Sequence, residues 1–374
     1  MNNDSGLSIL CGLTDVPNML RSHLTDAFAL LLCLCAPLRS TNAQAPETHI
    51  LPVTVVTVDG RPVTNLQSHN VHIHGGGAQV KSFSLDTDPR RIVLLLDTSG
   101  SMGINDNGKL RLAVASELMN LFLDTVPAGD SLALYQFADS PREVIAFTHD
   151  AAAIRQAISS IPVDRERDMV GRTNIRDALN AILTNPQESL AFGDSIVIFS
   201  DGEWNSDEDK QRSLASLASA LVQDGVRIFL VLTQEKSAIS SESQTPPTGV
   251  NQPVPAPGHL PPQGQSIVVT FDYEKTRIVD SELFVDAVGG ESFAPADPNV
   301  LQSTTIFRSN DLRQRMKSLC AALQSAYRLE LELFEPLRSK KRLHINLVDG
   351  RGKPLHNVAV LSPEFVYPDD DTHP

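Results

Sequence analysis

Continuous apolar runs separated by amphipathic segments fill the middle of the chain, from about residue 90 to about residue 325. The runs lack the apolar–polar alternation of a half-exposed strand, which is typical of parallel strands buried on both faces. Alternating strands and helices predict βαβ units and therefore an α/β fold, with a doubly wound, mostly parallel central sheet. The predicted strands are RIVLLLD (91–97), SLALYQFA (131–138), SIVIFSD (195–201) and VRIFLVL (226–232), and the predicted helices lie at 110–122, 151–161, 177–183, 213–223 and 311–327.

The two ends of the chain show the alternating pattern of half-buried antiparallel strands instead. LPVTVVTV begins at residue 51, and YRLELELFE begins at residue 327. Asp-Gly turns and further short strand-like segments accompany both. Because the ends of an inserted domain usually lie close together, we predict that residues 46–88 and 326–374 pair into one small, sandwich-like β unit. Residues 89–325 would form the domain that projects from it.

Residues 234–266 interrupt the alternation of strands and helices. They are rich in Ser, Pro and Gln, with seven prolines between Pro246 and Pro262. Proline removes a backbone donor, and the polar residues offer little surface to bury, so neither a strand ladder nor a helix is expected. We therefore predict a disordered surface insertion within the domain.

An apolar segment near the start of the chain has the features of a secretory signal peptide. The twelve residues Ala27–Leu38 are uninterrupted by charge, Arg21 precedes them, and the small-residue site Ala-Gln-Ala follows at 43–45. We expect residues 1–45 to be a leader that is cleaved near Ala43–Ala45. An ordinary signal peptide would begin at Met19. The protein would then be exported to the periplasm, the cell surface or the medium.

The alternative for this segment is a buried core helix, against which the early Pro37 argues. No apolar run in the chain reaches the roughly 20 residues that a membrane-spanning helix needs. We therefore expect no transmembrane segment in the mature chain.

Composition and charge narrow the classes of function. Hydrophobic residues make up 41% of the 374 residues, which is enough for a large core, so a wholly disordered chain is excluded. Acidic residues outnumber basic ones by 45 to 31, and the net charge of −14 disfavours nucleic acid as a partner. Three of the four cysteines lie within residues 1–45, so we predict that the remaining Cys320 is a small core residue.

Polar side chains follow the buried strands at the points where those strands end. Asp97 ends the first strand and begins a D-x-S-x-S motif with Ser99 and Ser101, and Asp201 ends the strand SIVIFSD. Thr173 lies just before a predicted helix. In parallel sheets, ligands bind beyond the carboxyl ends of the strands. Hydroxyl and carboxylate oxygens suit hard cations such as Mg²⁺, so this pattern indicates a metal site.

These motifs, in this order, resemble the von Willebrand factor type A (VWA) domain, a Rossmann-like fold with a metal-ion-dependent adhesion site (MIDAS). The resemblance implies that Ser99, Ser101 and Thr173 would contact Mg²⁺, or Mn²⁺ or Ca²⁺, through their hydroxyl oxygens. It implies that Asp97 and Asp201 would act mainly through bound waters. The flanking strands resemble those of exported, acidobacteria-like VWA-related proteins.

The resemblance implies an adhesive function rather than an enzymatic one. A water-occupied metal position can accept a carboxylate from a partner, so the expected partner is a protein that presents Asp or Glu. Arg172 stands where the family usually has glycine beside Thr173. The alternative function is a structural or assembly scaffold with a vestigial metal site.

Two enzymatic interpretations fit less well. Residues Gly103–Lys109 match the nucleotide-binding pattern G-x-x-x-x-G-K, but Leu110 stands where that site needs Ser or Thr. The pattern also begins six residues after Asp97, whereas a phosphate loop follows its strand directly. The segment Ser99–Ser101 is not the G-x-S-x-G motif of a serine hydrolase.

Two further clusters have ordinary explanations. His72 and His74 share one face of a strand, but two histidines are an incomplete metal ligand set, so exposed strand positions are expected. Glu203 and the acidic residues 207–209 could suggest a Ca²⁺ site, but Ser206 followed by acids at the start of a helix is better explained as an N-cap with charges that complement the helix dipole.

Overall fold

The computed structural model describes residues 47–74, 78–106, 108–161, 173–185, 189–202, 217–218, 220–233, 284–285, 290–294, 307–333 and 344–363. Its strands are β1 (Glu47–Thr57), β2 (Val71–His74), β3 (Ala78–Leu85), β4 (Arg91–Asp97), β5 (Asn105–Asp106), β6 (Lys109–Leu110), β7 (Ser131–Phe137), β8 (Pro141–Thr148), β9 (Ser195–Ser200), β10 (Arg227–Leu232), β11 (Glu291–Ala294), β12 (Phe307–Arg308), β13 (Ala326–Leu333), β14 (His344–Leu347) and β15 (Val358–Leu361). Its helices are α1 (Arg111–Leu123), α2 (Ala151–Ser160), α3 (Ile175–Leu183) and α4 (Leu312–Gln324).

The central sheet has seven strands in the order β12-β11-β10-β9-β4-β7-β8. Every neighbouring pair is parallel except β7 with β8. The predicted doubly wound, mostly parallel α/β sheet is therefore confirmed. Strand β8 was not predicted, because it is an edge strand that begins with Pro141, carries charges at Arg142 and Glu143, and lacks a clear apolar face.

Strand β4 shows why the central strands read as continuous apolar runs. Ile92, Leu94 and Leu96 enter one hydrophobic cluster, while Val93 and Leu95 enter the cluster on the opposite face. Helices α1, α2 and α4 pack on the first face, and α3 packs on the second. Both faces are thus buried under helices, which removes any requirement for polar alternation along the strand.

Strands from the two ends of the chain share two antiparallel sheets. One sheet has the order β15-β1-β13-β3, and the other pairs β14 with β2. In the first sheet β1 lies between β13 and β15, both from the C-terminal part of the chain. The fold therefore contains an antiparallel unit beside the parallel sheet, built from segments that are separated in sequence by the whole α/β domain.

Alternate residues of β1 build the core of this antiparallel unit. Leu51, Val53 and Val55 are almost fully buried on one face. Phe83 from β3 and Tyr327 from β13 lie in the same cluster, with their rings stacked at 4.4 Å between centroids. The intervening residues are buried as well, since Thr54 is 1% and Val56 0% exposed, so β1 is covered on both faces and is buried more fully than its alternating sequence pattern predicted.

A buried arginine joins the antiparallel unit to the central sheet. Arg227 begins β10 and is 1% exposed. Its guanidinium donates to Thr54 Oγ1 at 3.2 Å, to Ala322 O at 3.1 Å, to Gly193 O at 3.3 Å and to Leu323 O at 3.2 Å. Two of these acceptors are carbonyls at the C-terminal end of α4, where a cation is favourable. Burial lowers the pKa of Arg227 to about 9.

Several predictions about individual segments have different outcomes. Cys320 is 4% exposed within α4, so the prediction of a small core residue is confirmed. No helix among the described residues has the length and apolar character that a membrane span requires. The predicted leader at 1–45 and the predicted insertion at 234–266 lie outside the described residues.

Replacing Arg227 by methionine should destabilise the fold by about 3 kcal/mol or more, because several buried acceptors would lose their donor. Urea unfolding measures this loss. Arg155→Met is the matched control, since Arg155 pairs with Asp124 at 2.6 Å on the surface and should contribute about 1 kcal/mol at most. Equal losses in the two variants would show that Arg227 does not tie the two parts together.

Candidate metal centre

The end of β4 delivers a carboxylate and two hydroxyls to one place. Asp97 is the last residue of the strand, and its Oδ1 accepts a hydrogen bond from the backbone N–H of Ser99 at 2.9 Å. A short 3-10 turn over Gly100–Gly103 follows and carries Ser101. The hydroxyl oxygens of Ser99 and Ser101 lie 3.2 Å apart. The D-x-S-x-S motif therefore folds into a tight turn that groups its three side chains.

The neighbouring strand β9 brings a second carboxylate to the same edge. Ser200, its last residue, donates from its hydroxyl to Asp97 Oδ2 at 2.6 Å and accepts from the backbone N–H of Gly202 at 3.0 Å. Asp201 follows directly, and both Asp97 and Asp201 are 0% exposed. Two buried carboxylates thus stand at the carboxyl ends of adjacent parallel strands.

Thr173 reaches this edge of the sheet from the other side of β4. The backbone N–H of Asn174 donates to Ala138 O at 2.8 Å, and Ala138 directly follows β7. The Asn174 side chain caps α3 by accepting from Asp177 N–H. Thr173 is 3% exposed. That buried hydroxyl is consistent with the ligand role that the family resemblance implies.

Chain topology explains why these elements meet. Strand β4 lies between β7 and β9, so the chain leaves β4 toward one side of the sheet and later returns to its other side. A crevice opens beyond the carboxyl ends of the strands at such a point, and ligands of α/β proteins bind there. The structure brings Asp97, Ser99, Ser101 and Asp201 together at these strand ends and places Thr173 beside them.

The two carboxylates raise each other's electrostatic cost. Burial, and then the negative charge of Asp201, raise the pKa of Asp97 to about 7, although hydrogen bonds from Ser200 and Ser99 oppose the rise. A nearby positive charge would reverse this effect. The donor set of hydroxyl and carboxylate oxygens fits a hard divalent cation such as Mg²⁺.

Two residues of the site were not found from the sequence. Ser200 positions Asp97 through its hydroxyl, and Arg111 donates from Nη1 to Asp201 Oδ2 at 2.7 Å. Ser200 could have been inferred from the sequence, because it stands immediately before Asp201, at the end of strand β9. Nothing in the local pattern around Arg111 indicates that its side chain reaches a strand end 90 residues further along the chain.

The structure also describes some of the segments that had other interpretations. Within Gly103–Lys109, Asn105 pairs with Leu110 and Asp106 with Lys109, so these residues form a small antiparallel hairpin rather than a phosphate loop. His72 and His74 are exposed on β2, as expected. Among the residues that the structure describes, no three His, Cys, Asp or Glu side chains form a metal cluster. Arg172, Glu203 and 207–209 lie outside those residues.

Comparison with known proteins identifies the domain that carries this site. Residues 92–203 match the family model of the von Willebrand factor type A domain. The chain therefore contains a VWA domain, as its motifs indicated. An uncharacterized protein of Borreliella burgdorferi is 29% identical over 141 residues, which are 37% of this chain and 39% of that protein. The chain thus matches well under two thirds of that relative's length.

Two solved structures match parts of this chain with low TM-scores. An aerotolerance-related membrane protein from Bacteroides fragilis is 18% identical, with a TM-score of 0.40, over 63% of this chain and 98% of that chain. A von Willebrand factor type A protein from Catenulispora acidiphila is 12% identical, with a TM-score of 0.39, over 89% of this chain and 76% of that chain. At these scores, neither likeness carries information about function.

The metal-free protein should lose stability as the pH rises toward 7. The Asp97 carboxyl ionises at about 3.8 in the unfolded chain but at about 7 in the fold, so between these values only the folded state keeps its proton. The free energy of unfolding then falls with rising pH, by at most about 1.4 kcal/mol per pH unit from this group. Urea unfolding in EDTA between about pH 4 and pH 8 measures the slope.

Asp97→Asn should flatten this part of the pH profile, because it removes the group that titrates. Asp59→Asn is the matched control. A hydrogen bond from Arg61 lowers the pKa of Asp59, which places its titration below this pH range. Equal slopes in the wild type and in Asp97→Asn would show that Asp97 is not a strained carboxyl.

Proposed function

We propose that this protein binds a partner protein through a divalent cation, most simply Mg²⁺, held at the end of the central sheet. The observation that carries the proposal is the grouping of two fully buried carboxylates with neighbouring hydroxyls at one sheet edge. Such a site has excess negative charge and oxygen ligands, the two properties that hard cations require. No enzymatic activity is proposed.

Each residue of the site has a distinct role in this proposal. Ser99, Ser101 and Thr173 would provide hydroxyl oxygens to the cation. Asp97 and Asp201 would balance its charge, mainly through water. The hydrogen bonds from Ser200 and from the Ser99 N–H hold the Asp97 carboxylate in a fixed orientation. Fixed ligands reduce the ordering that binding would otherwise require.

The chemistry of the site favours an acidic partner. When bound, the cation supplies a positive charge and a ligand position that a Glu or Asp carboxylate can take. The protein's own residues contribute a partly apolar rim, because Ile104 follows the 3-10 turn of the motif and is 44% exposed. A partner that presents an acidic residue beside an apolar one would therefore match this surface.

Export of the mature protein is part of the proposal, and its support is the leader-like sequence at 1–45. A second candidate function is a scaffold with a vestigial metal site. The ion pair between Arg111 and Asp201 favours it, since a guanidinium already meets one of the carboxylates. Metal binding in solution separates the two candidates.

Mg²⁺ or Mn²⁺ should raise the thermal midpoint of the purified chain, and EDTA should reverse the rise. A ligand at 100 times its dissociation constant adds about 2.7 kcal/mol to stability. Thr173→Val should remove most of the shift while leaving the fold intact. Thr184→Val, at the exposed end of α3, is the matched control and should keep the shift. No shift in the wild type would favour the scaffold.

A peptide library displayed on phage tests the nature of the partner. In millimolar MgCl₂, the immobilised protein should enrich peptides that contain Asp or Glu, and EDTA should release them. Ser99→Ala should lose this enrichment, because it removes a hydroxyl ligand. Ser116→Ala is the control, since Ser116 bonds to Leu112 O on α1 and has no role in the site. Peptides without acidic residues, or equal retention by Ser99→Ala, would contradict the proposal.

A further inference from the structure

Arg111 holds a positive charge inside the candidate metal centre. Its Nη1 donates to Asp201 Oδ2 at 2.7 Å, and its side chain is 10% exposed. We propose that Arg111 is a built-in counter-cation that competes with the divalent cation for the negative charge of Asp201, and so sets the cation concentration at which the site fills. This inference rests on the proposed function and adds a residue that controls it.

A short hairpin and a backbone hydrogen bond position Arg111 beside Asp201. The hairpin of β5 and β6 reverses the chain directly after the 3-10 turn of the motif. The backbone N–H of Arg111 then donates to Ile104 O at 3.1 Å, which closes the base of the hairpin. Arg111 Nη1 also lies 3.4 Å from Ser101 O. The guanidinium is therefore fixed between the motif turn and the end of β9.

Local helix energetics do not explain an arginine at this position. Arg111 is the first residue of α1, and no acidic residue occupies the first turn of that helix. The N-terminal end of a helix carries partial positive charge, so a cation there is unfavourable. Burial of the side chain adds a further cost. The ion pair with Asp201 compensates for these costs.

The charge balance of the centre gives the direction of the effect. Asp97 and Asp201 are both 0% exposed, and Arg111 neutralises one of these two carboxylates. The metal-free centre is thereby stabilised, while an arriving divalent cation meets a like charge in a buried, weakly screened place. Removing the guanidinium should therefore destabilise the metal-free state and strengthen divalent binding.

Calorimetric titration with MnCl₂ or MgCl₂ tests this inference on the full folded chain. Arg111→Gln should bind the cation at least about tenfold more tightly than the wild type, because a buried like charge has been removed. Arg111→Lys, which keeps the charge, should stay near the wild-type affinity. The matched control is Arg91→Gln, which breaks an Arg–Asp pair of the same length, 2.7 Å to Asp194, at the opposite end of β4.

The outcomes separate this inference from the proposed function. Tighter binding in Arg111→Gln alone supports both, and so does binding that is measurable only in Arg111→Gln. Equal affinity in the wild type and Arg111→Gln overturns the competition while leaving the metal site in place. Weaker binding in Arg111→Gln also overturns it. Failure of every variant to bind overturns the metal site itself.

A second measurement tests the same inference if Arg111→Gln is too unstable for calorimetric titration. The inference predicts that this variant is less stable than the wild type in EDTA, and that millimolar MgCl₂ restores more stability to it than to the wild type. Circular dichroism during thermal unfolding gives both values. A purely structural arginine would lower the midpoint by the same amount with and without the cation, which would contradict competition.

Discussion

Two carboxylates buried at the ends of adjacent parallel strands impose the main constraint on this protein. Strands β4 and β9 are covered on both faces, so Asp97 at the end of β4 and Asp201 directly after β9 stand where water cannot stabilise their charge. Burial and mutual repulsion raise the pKa of Asp97 to about 7. Arg111, paired with Asp201, supplies one positive charge to this pair of carboxylates. The remaining negative charge and the neighbouring hydroxyls are the features on which the proposed cation site rests.

The same strands separate the candidate site from the antiparallel unit. Arg227 stands at the first residue of β10, and its guanidinium holds Thr54 of β1 and the last carbonyls of α4. The site lies beyond the last residues of β4 and β9, at the other end of the sheet. A partner could therefore bind at the carboxyl ends while the strands from both ends of the chain stay packed at the amino ends.

Local sequence patterns predicted most of the fold, because strands that are buried on both faces consist of almost continuous apolar residues. The run RIVLLLD became β4 of the central sheet, and LPVTVVTV became most of β1, which is buried more fully than its alternation predicted. Strand β8 has no such apolar run, since an exposed edge strand tolerates Pro141 and the charged residues beside it. The grouping of Asp97, Ser99 and Ser101 could be predicted from the sequence, because a single turn fixes their spacing. Arg111 could not, because its partner Asp201 is 90 residues away and only the folded sheet brings them together.

Anomalous diffraction from crystals of the protein soaked in MnCl₂ tests the central claim most directly, because it locates the cation without assuming a ligand set. If the proposed site binds the cation, one strong anomalous peak should lie within bonding distance of the Ser99 and Ser101 hydroxyl oxygens, beside Asp97 and Asp201. Crystals in which this turn is ordered, and in which no peak appears there or the peak lies elsewhere, would contradict the account.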